Sequence, residues 1–158
     1  MNSIDIKILS ILQRDGQISM ARLSEQVGLS LSACHRRVKI LEANGTISNY
    51  AACLDRKAIG LELQVFLEVK LSSHSKQDHA AFEEKILAMP DVLECHLISG
   101  EFDFLMRVAV SGPSDYEDFY RNRLPQVPSI TQVKTLMSMS TLKEFRGFNL
   151  ESLENRSK

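Results

Sequence analysis

The spacing of apolar residues changes once along this 158-residue chain, near residue 60, and that change limits its possible folds more than any other feature. Before it, Ile4, Ile8, Ile11 and Leu12 recur at helical intervals, until Asp15-Gly16 stops the pattern. After it, in LELQVFLEVKL, Leu61, Leu63, Val65, Leu67, Val69 and Leu71 all fall on one side of an alternating strand. A helical core followed by a sheet-based core predicts two domains in series, an α+β chain. Residues 1–48 are expected to form the first domain, 49–60 a linker, 61–142 the second domain and 143–158 a C-terminal tail.

The first domain reads as three short helices. After the first, Ser19 caps a second whose buried positions are expected at Ala21, Leu23 and Val27. Gly28 makes a tight turn, and Ser30 or Ser32 caps a third helix that runs to about Asn44-Gly45. Two helices joined by a short glycine-containing turn are the helix-turn-helix unit. The segment GTISNYAACLD that follows reads as a short wing or a linker strand.

The second domain reads β-α-β-β-α-β, the ferredoxin-like order. Ser75 opens a helix through Met89, with Phe82, Ile86 and Met89 on one side. Asp91 to Ser99 is a strand, Gly100-Glu101 a turn and FDFLMRVAV the next strand. Pro113 starts a helix carrying Tyr116, Phe119, Tyr120 and Leu124, and ITQVKTLMSMS is the last strand. Phe102, Phe104, Met106, Val108 and Val110 are expected to share the side that meets the helices. Asp103, Leu105, Arg107 and Ala109 then point the other way. That second face, with Phe66, Leu105 and Leu136, is too apolar to stay wet, so sheet-to-sheet pairing into a homodimer is expected.

Charge separates the two domains. The whole chain carries −1, but residues 1–57 carry +3 and residues 58–158 carry −4, as if only the first part met a polyanion. Three scattered cysteines, Cys34, Cys53 and Cys95, suggest a reducing cytoplasm rather than a disulfide framework. The apolar start MNSIDIKILSIL is broken by Asp5 and Lys7 and is not a signal peptide. No run approaches the ~20 apolar residues needed to cross a bilayer, so no membrane partner is expected.

The positive charge is concentrated in SLSACHRRVKILE, residues 30–42. At 100° per residue, Cys34, Val38 and Leu41 form an apolar stripe with Leu31 beside it, while Ser32, His35, Arg36 and Lys39 occupy the opposite arc. A major groove admits one such helix, and an arginine can bridge O6 and N7 of guanine. The N-terminal part of a recognition helix usually reaches base edges. Ser32, Ala33, His35 and Arg36 are therefore the expected readers of double-stranded DNA, beside the capping Ser30. Lys39 and Arg37 are expected on phosphate, although Arg37 sits near the buried flank, where an acid of the domain itself is the other partner open to it. Ile40 lies off the stripe with no evident cover.

In IDIKIL, in ARLSEQVGLS followed by x-Ser-x-Cys-x-RRVKILE-x-x-Gly-x-Ile, and in ECHLISGEFDFLMRV, nearly the whole chain resembles the Lrp/AsnC family of leucine-responsive and asparagine regulators. The resemblance implies a winged helix-turn-helix followed by a ferredoxin-like regulatory domain. It also implies dimers that can assemble into octamers, and a small effector, with an amino acid as the expected class. A nucleoid-associated regulator of transcription with no cofactor is the expected protein. Many members carry prolines where this chain has Leu31 and Ala33, so entry into the third helix is less pre-set here. The resemblance places the effector at the dimer interface, on Ser99, Gly100 and Asp103 and on Leu136, Met137 and Ser138 of the last strand. The chemistry is compatible. Asp103 can hold an ammonium, and a turn opened by Gly100 can aim backbone N–H groups at a carboxylate.

Two other classes compete. GEFDFLMRV superficially matches an RNA-binding strand, but such a strand must keep its aromatics on the exposed face of the sheet. An enzyme finds little support. Cys95 and His96 are strand neighbours on opposite faces, and His74 and His79 are poorly spaced for a shared metal. Neither a phosphate loop nor a CxxC occurs.

Overall fold

The computed structural model describes residues 2–73, 75–150 and 152. They form two compact units. One is built from the segment through Cys53 together with the segment from Lys143 onward, the other from Leu54–Leu142.

The first unit holds α1 (Ser3–Leu12), α2 (Met20–Val27) and α3 (Leu31–Ala43). Each begins at a polar side chain that accepts an otherwise orphaned amide. Asn2 accepts from Asp5 at 2.8 Å, Ser19 from Arg22 at 3.3 Å and Ser30 from Ala33 at 3.3 Å, so Ser30 rather than Ser32 is the cap of α3. α2 ends in a paired cap. Gly28, at φ +70°, donates to the Glu25 carbonyl while Leu29 donates to that of Ser24. That left-handed residue lets the chain turn into α3 within three residues.

Ile8, Leu23, Val27, Cys34, Val38 and Leu41 make the core of this unit. Two expected core positions fail. Ala21 is exposed, and Ser24 is buried in its neighbourhood with its hydroxyl satisfied by the Ala21 carbonyl at 2.7 Å. Leu31 is 54% exposed, because the first residue of α3 projects beyond the end of the packed stripe. Ile6, on the side of α1 away from Ile8, is buried as well.

Among the described residues no strand precedes Leu63, so the segment after Gly45 is neither wing strand nor linker strand. A lone β-branched stretch has no ladder without a partner, and here local bonds take over. Asn44 accepts the amide and hydroxyl of Thr46, and the Ile47 amide returns to the Leu41 carbonyl. The segment from Lys143 joins this unit through Gln13. Its side-chain amide donates to the Phe148 carbonyl and accepts the Phe148 amide, both at 2.9 Å.

The second unit is a four-stranded antiparallel sheet in the order β2-β3-β1-β4, from β1 (Leu63–Leu71), β2 (Val92–Leu97), β3 (Phe104–Val110) and β4 (Ile130–Met137). α4 (Lys76–Leu87) and α5 (Pro113–Asp118) cross between strands, and α5 continues through a wide turn at Phe119–Arg123 and a tight one at Leu124–Gln126. Val65, Leu67, Val69 and Leu71 of β1 with Phe104, Met106, Val108 and Val110 of β3 pack beneath Phe82, Ile86, Tyr116 and Phe119. This is the alternation read from sequence, with one break. Phe102 is buried but lies outside that core, 5.8 Å from the Lys134 ammonium. Residues 99–103 bend instead of continuing the strand, so parity is lost before Phe104.

Asp78 ties the loop before α4 to the loop before β4. Its carboxylate accepts hydroxyl bonds from Ser75 (2.7 Å), Ser129 (2.8 Å) and Ser73. Those bonds, with Ser73 foremost, hold its pKa down at about 2. Among the described residues, no helix is long and apolar enough to cross a membrane.

Candidate nucleic-acid interface and effector region

α3 presents its polar arc outward. Ser32, His35, Arg36 and Lys39 are exposed, Ala33 is half-buried, and the capping Ser30 stands at the entrance with its hydroxyl 3.3 Å from that of Ser32. The four cationic positions then divide. Arg37 pairs with Asp5 of α1 (3.3 Å), the acid of the domain itself that was the other partner open to it, and so ties α3 to α1. That outcome follows from its place on the flank of the buried stripe. Lys39 reaches Glu42 one turn on at 2.7 Å, and Glu42 also accepts from the Tyr50 hydroxyl at 3.2 Å. The Lys39 bond leads the causes that lower the Glu42 pKa. Arg36 and His35 make no ion pair or hydrogen bond among the described residues. A guanidinium left unpaired on the outer face of a helix offers its full fork of donors to a partner. Ile40 is 50% exposed, only half covered by the described residues.

The effector residues behave differently. Asp103 is stitched into the sheet. Its amide donates to the Val69 carbonyl, its carbonyl accepts the Ile98 amide, and its carboxylate accepts the Leu71 amide at 2.8 Å. The acid expected to hold an ammonium therefore has a structural duty at a point where the β1 register shifts. Ser99 and Gly100 are exposed, and Gly100 adopts φ +150°, a conformation that L side chains rarely take. Leu136 and Met137 are exposed and Ser138 is half-buried. The two groups stand at opposite ends of the sheet. Asp103 meets β1 at Val69 and Leu71, whereas Leu136 and Met137 pair with Phe66 and Val65, and the Ser138 amide meets the Gln64 carbonyl. Four strand residues separate them, about 13 Å. One copy of the chain thus leaves the six residues in two groups.

The open face of the sheet lies between those ends. Phe66 faces Leu136 across the ladder, and Leu105 lies opposite Glu68. Two ion pairs cross this face: Lys134 to Glu68 at 2.9 Å and Arg107 to Glu94 at 2.5 Å. Sequence reasoning found the apolar members but missed these pairs, which only the register of three strands reveals.

The competing readings meet the geometry as follows. Phe104 is stacked on Phe82 at 4.3 Å inside the core and Phe102 is 5% exposed, so neither offers a ring to an RNA base. Cys95 faces the core opposite Met106, and burial pushes its thiol up to about 11, with Glu83 adding to the effect; His96 points to the other face. His74 lies outside the described residues. His79 packs 5.5 Å from Phe104, and no three metal-ligating side chains stand together among the described residues.

Comparison with known proteins agrees with this architecture. Residues 1–48 match the family model for winged helix-turn-helix DNA binding, and residues 64–148 match that for the Lrp/AsnC ligand binding domain. The chain is 37% identical over 143 residues to the glutamate uptake regulatory protein of Zymomonas mobilis, covering 90% of this chain and 87% of that protein. It is 36% identical over 144 residues to the leucine-responsive regulatory protein of Haemophilus influenzae, covering 91% and 87%. Among solved structures, a transcriptional regulator of Neisseria meningitidis in complex with L-Met superposes with a TM-score of 0.91 at 30% identity, over 97% of this chain and 99% of that one. With a helix-turn-helix unit at one end and a matching ligand-binding domain at the other, the chain belongs to the Lrp/AsnC family of transcriptional regulators.

Proposed function

We propose that α3 enters a DNA major groove with Ser32, Ala33, His35 and Arg36 toward base edges and Ser30 and Lys39 toward phosphate. The observation that carries this reading is Arg36, exposed on the outer arc of the helix with no ion pair or hydrogen bond among the described residues; Lys39 is exposed as well, and its surface pair with Glu42 is weak enough to yield to a phosphate. We further propose that two copies pack their open sheet faces together by a two-fold axis and act in the cytoplasm on a pseudo-palindromic operator. A two-fold axis brings opposite ends of the two sheets side by side. The Ser99, Gly100 and Asp103 end of one copy then meets Leu136, Met137 and Ser138 of the other, completing a site for a small effector. An amino acid is the favoured class, since the similar Neisseria regulator was solved with L-Met. Its binding shifts the spacing of the reading heads by as much as its affinity differs between the two assemblies.

Thermal unfolding against each of the twenty amino acids tests the effector, with Asp103→Asn as the comparison. That substitution keeps an oxygen for the Leu71 amide while removing the charge. A ligand at 100 times its Kd stabilises by about 2.7 kcal/mol, a shift of a few degrees. A shift present in the wild type and lost in Asp103→Asn supports the site. Twenty flat responses overturn the amino-acid effector and leave DNA binding untouched.

A further inference from the structure

Leu31 opens the recognition helix yet stands 54% exposed. With Met20 at the start of α2 it walls a shallow, mainly apolar hollow of about 450 Å³, whose remaining lining is Ser32 and His35. The hollow is continuous with the DNA-facing arc, since Leu31 and His35 are one helical turn apart and Arg36 follows. Packing against Met20 leaves about half of Leu31 open on this side of the helix. In a major groove that open half has a chemical use. Thymine is the base that shows a 5-methyl group there, and it sets that methyl beside the O4 acceptor. An apolar wall beside a hydroxyl and an imidazole is complementary to that pair: the leucine and methionine cover the methyl, and Ser32 or His35 donates to O4. Adenine would require an amide to bridge N6 and N7, and none lines the hollow. Resting on the proposal that α3 reads the major groove, we infer that Leu31, backed by Met20, is a specificity-determining residue that selects thymine by its 5-methyl group.

The test begins by selecting a preferred duplex for the wild-type protein from a random pool. Each thymine of that duplex is then replaced singly by deoxyuridine, which lacks only the methyl. The expected result is one position per half-site where deoxyuridine weakens wild-type binding about four-fold, the equivalent of one buried methyl. Leu31→Ala should bind thymine and deoxyuridine equally at that position, and Leu31→Met should restore much of the discrimination. If deoxyuridine is tolerated everywhere, or costs the wild type and Leu31→Ala equally, Leu31 does not read a methyl and the proposal falls while the DNA interface stands. If no duplex is selected at all, the groove-reading proposal fails with it.

Discussion

The two units of this molecule treat charge in opposite ways. On α3 the exposed Arg36 makes no ion pair or hydrogen bond among the described residues, although Asp5 and Glu42 hold its neighbours Arg37 and Lys39. On the open face of the sheet two pairs join charges across strands, Glu68 with Lys134 and Glu94 with Arg107. In the same unit Arg123 gathers Asp91, Asp115 and Asp118 at 2.5, 2.7 and 3.1 Å. A surface that keeps bare cations is prepared for an anion from outside. One that joins charges across its strands and leaves Phe66, Leu105 and a 40%-exposed Leu136 between them is prepared to lose water against another protein surface.

The comparison can be broken first at the cores. Phe119→Ala removes a fully buried ring from the regulatory unit and should cost about 3–5 kcal/mol, read by chemical denaturation. If the units are energetically distinct, amide exchange in α1–α3 should stay protected. Uniform loss would show that they stand or fall together. The contrast between bare and tied cations comes next. Arg36→Ala should weaken DNA binding by about 1–3 kcal/mol and relax selectivity at one position, with stability unchanged. Arg37→Ala should do the reverse and lower stability by about 0–1 kcal/mol through loss of the Asp5 pair, while sequence selectivity is preserved. A drop in selectivity from Arg37→Ala alone would invert the assignment. On the sheet, Lys134→Ala should leave the midpoint of monomer unfolding nearly unchanged, because the ammonium end of the Glu68 pair is open to water. Its measurable effect should fall on self-association, followed by sedimentation.

The smallest effect is a pH dependence. Asp78 titrates near 2 in the folded chain against an ordinary 3.8, so its contribution is complete above pH 4 and is lost as pH falls toward 2. Asp78→Asn should flatten acid denaturation in that window only. An unchanged acid limb would remove Asp78 from its cause.

The change of period near residue 60 let the sequence disclose both cores, the caps at Ser19 and Ser75 and the strand order's raw material, because burial repeats at 3.6 or 2 residues whatever the partner. What stayed hidden depends on neighbours distant in sequence. Phe102 leaves the helix side because the turn beside it bends, and one Asp103 carboxylate oxygen accepts the Leu71 amide, 32 residues away in sequence. Leu31 reads as core by angle, but angle says nothing of where a helix begins relative to its packing. The six residues expected to hold an effector were legible as types, yet their separation along β1 is a property of the sheet.

The pairing of Gln13 with Phe148 gives the chain a topology that its domain order conceals. The regulatory unit is an insertion: the chain leaves the DNA-binding unit after Cys53 and comes back to it at Lys143. A fragment that stops at Cys53 would therefore be an incomplete domain, with the Gln13 amide stripped of both bonds. Geneticists who separate the two activities by truncation would be cutting a closed circuit. Cleavage at a protease site placed between residues 138 and 142 would open one of the two covalent connections and leave the other intact.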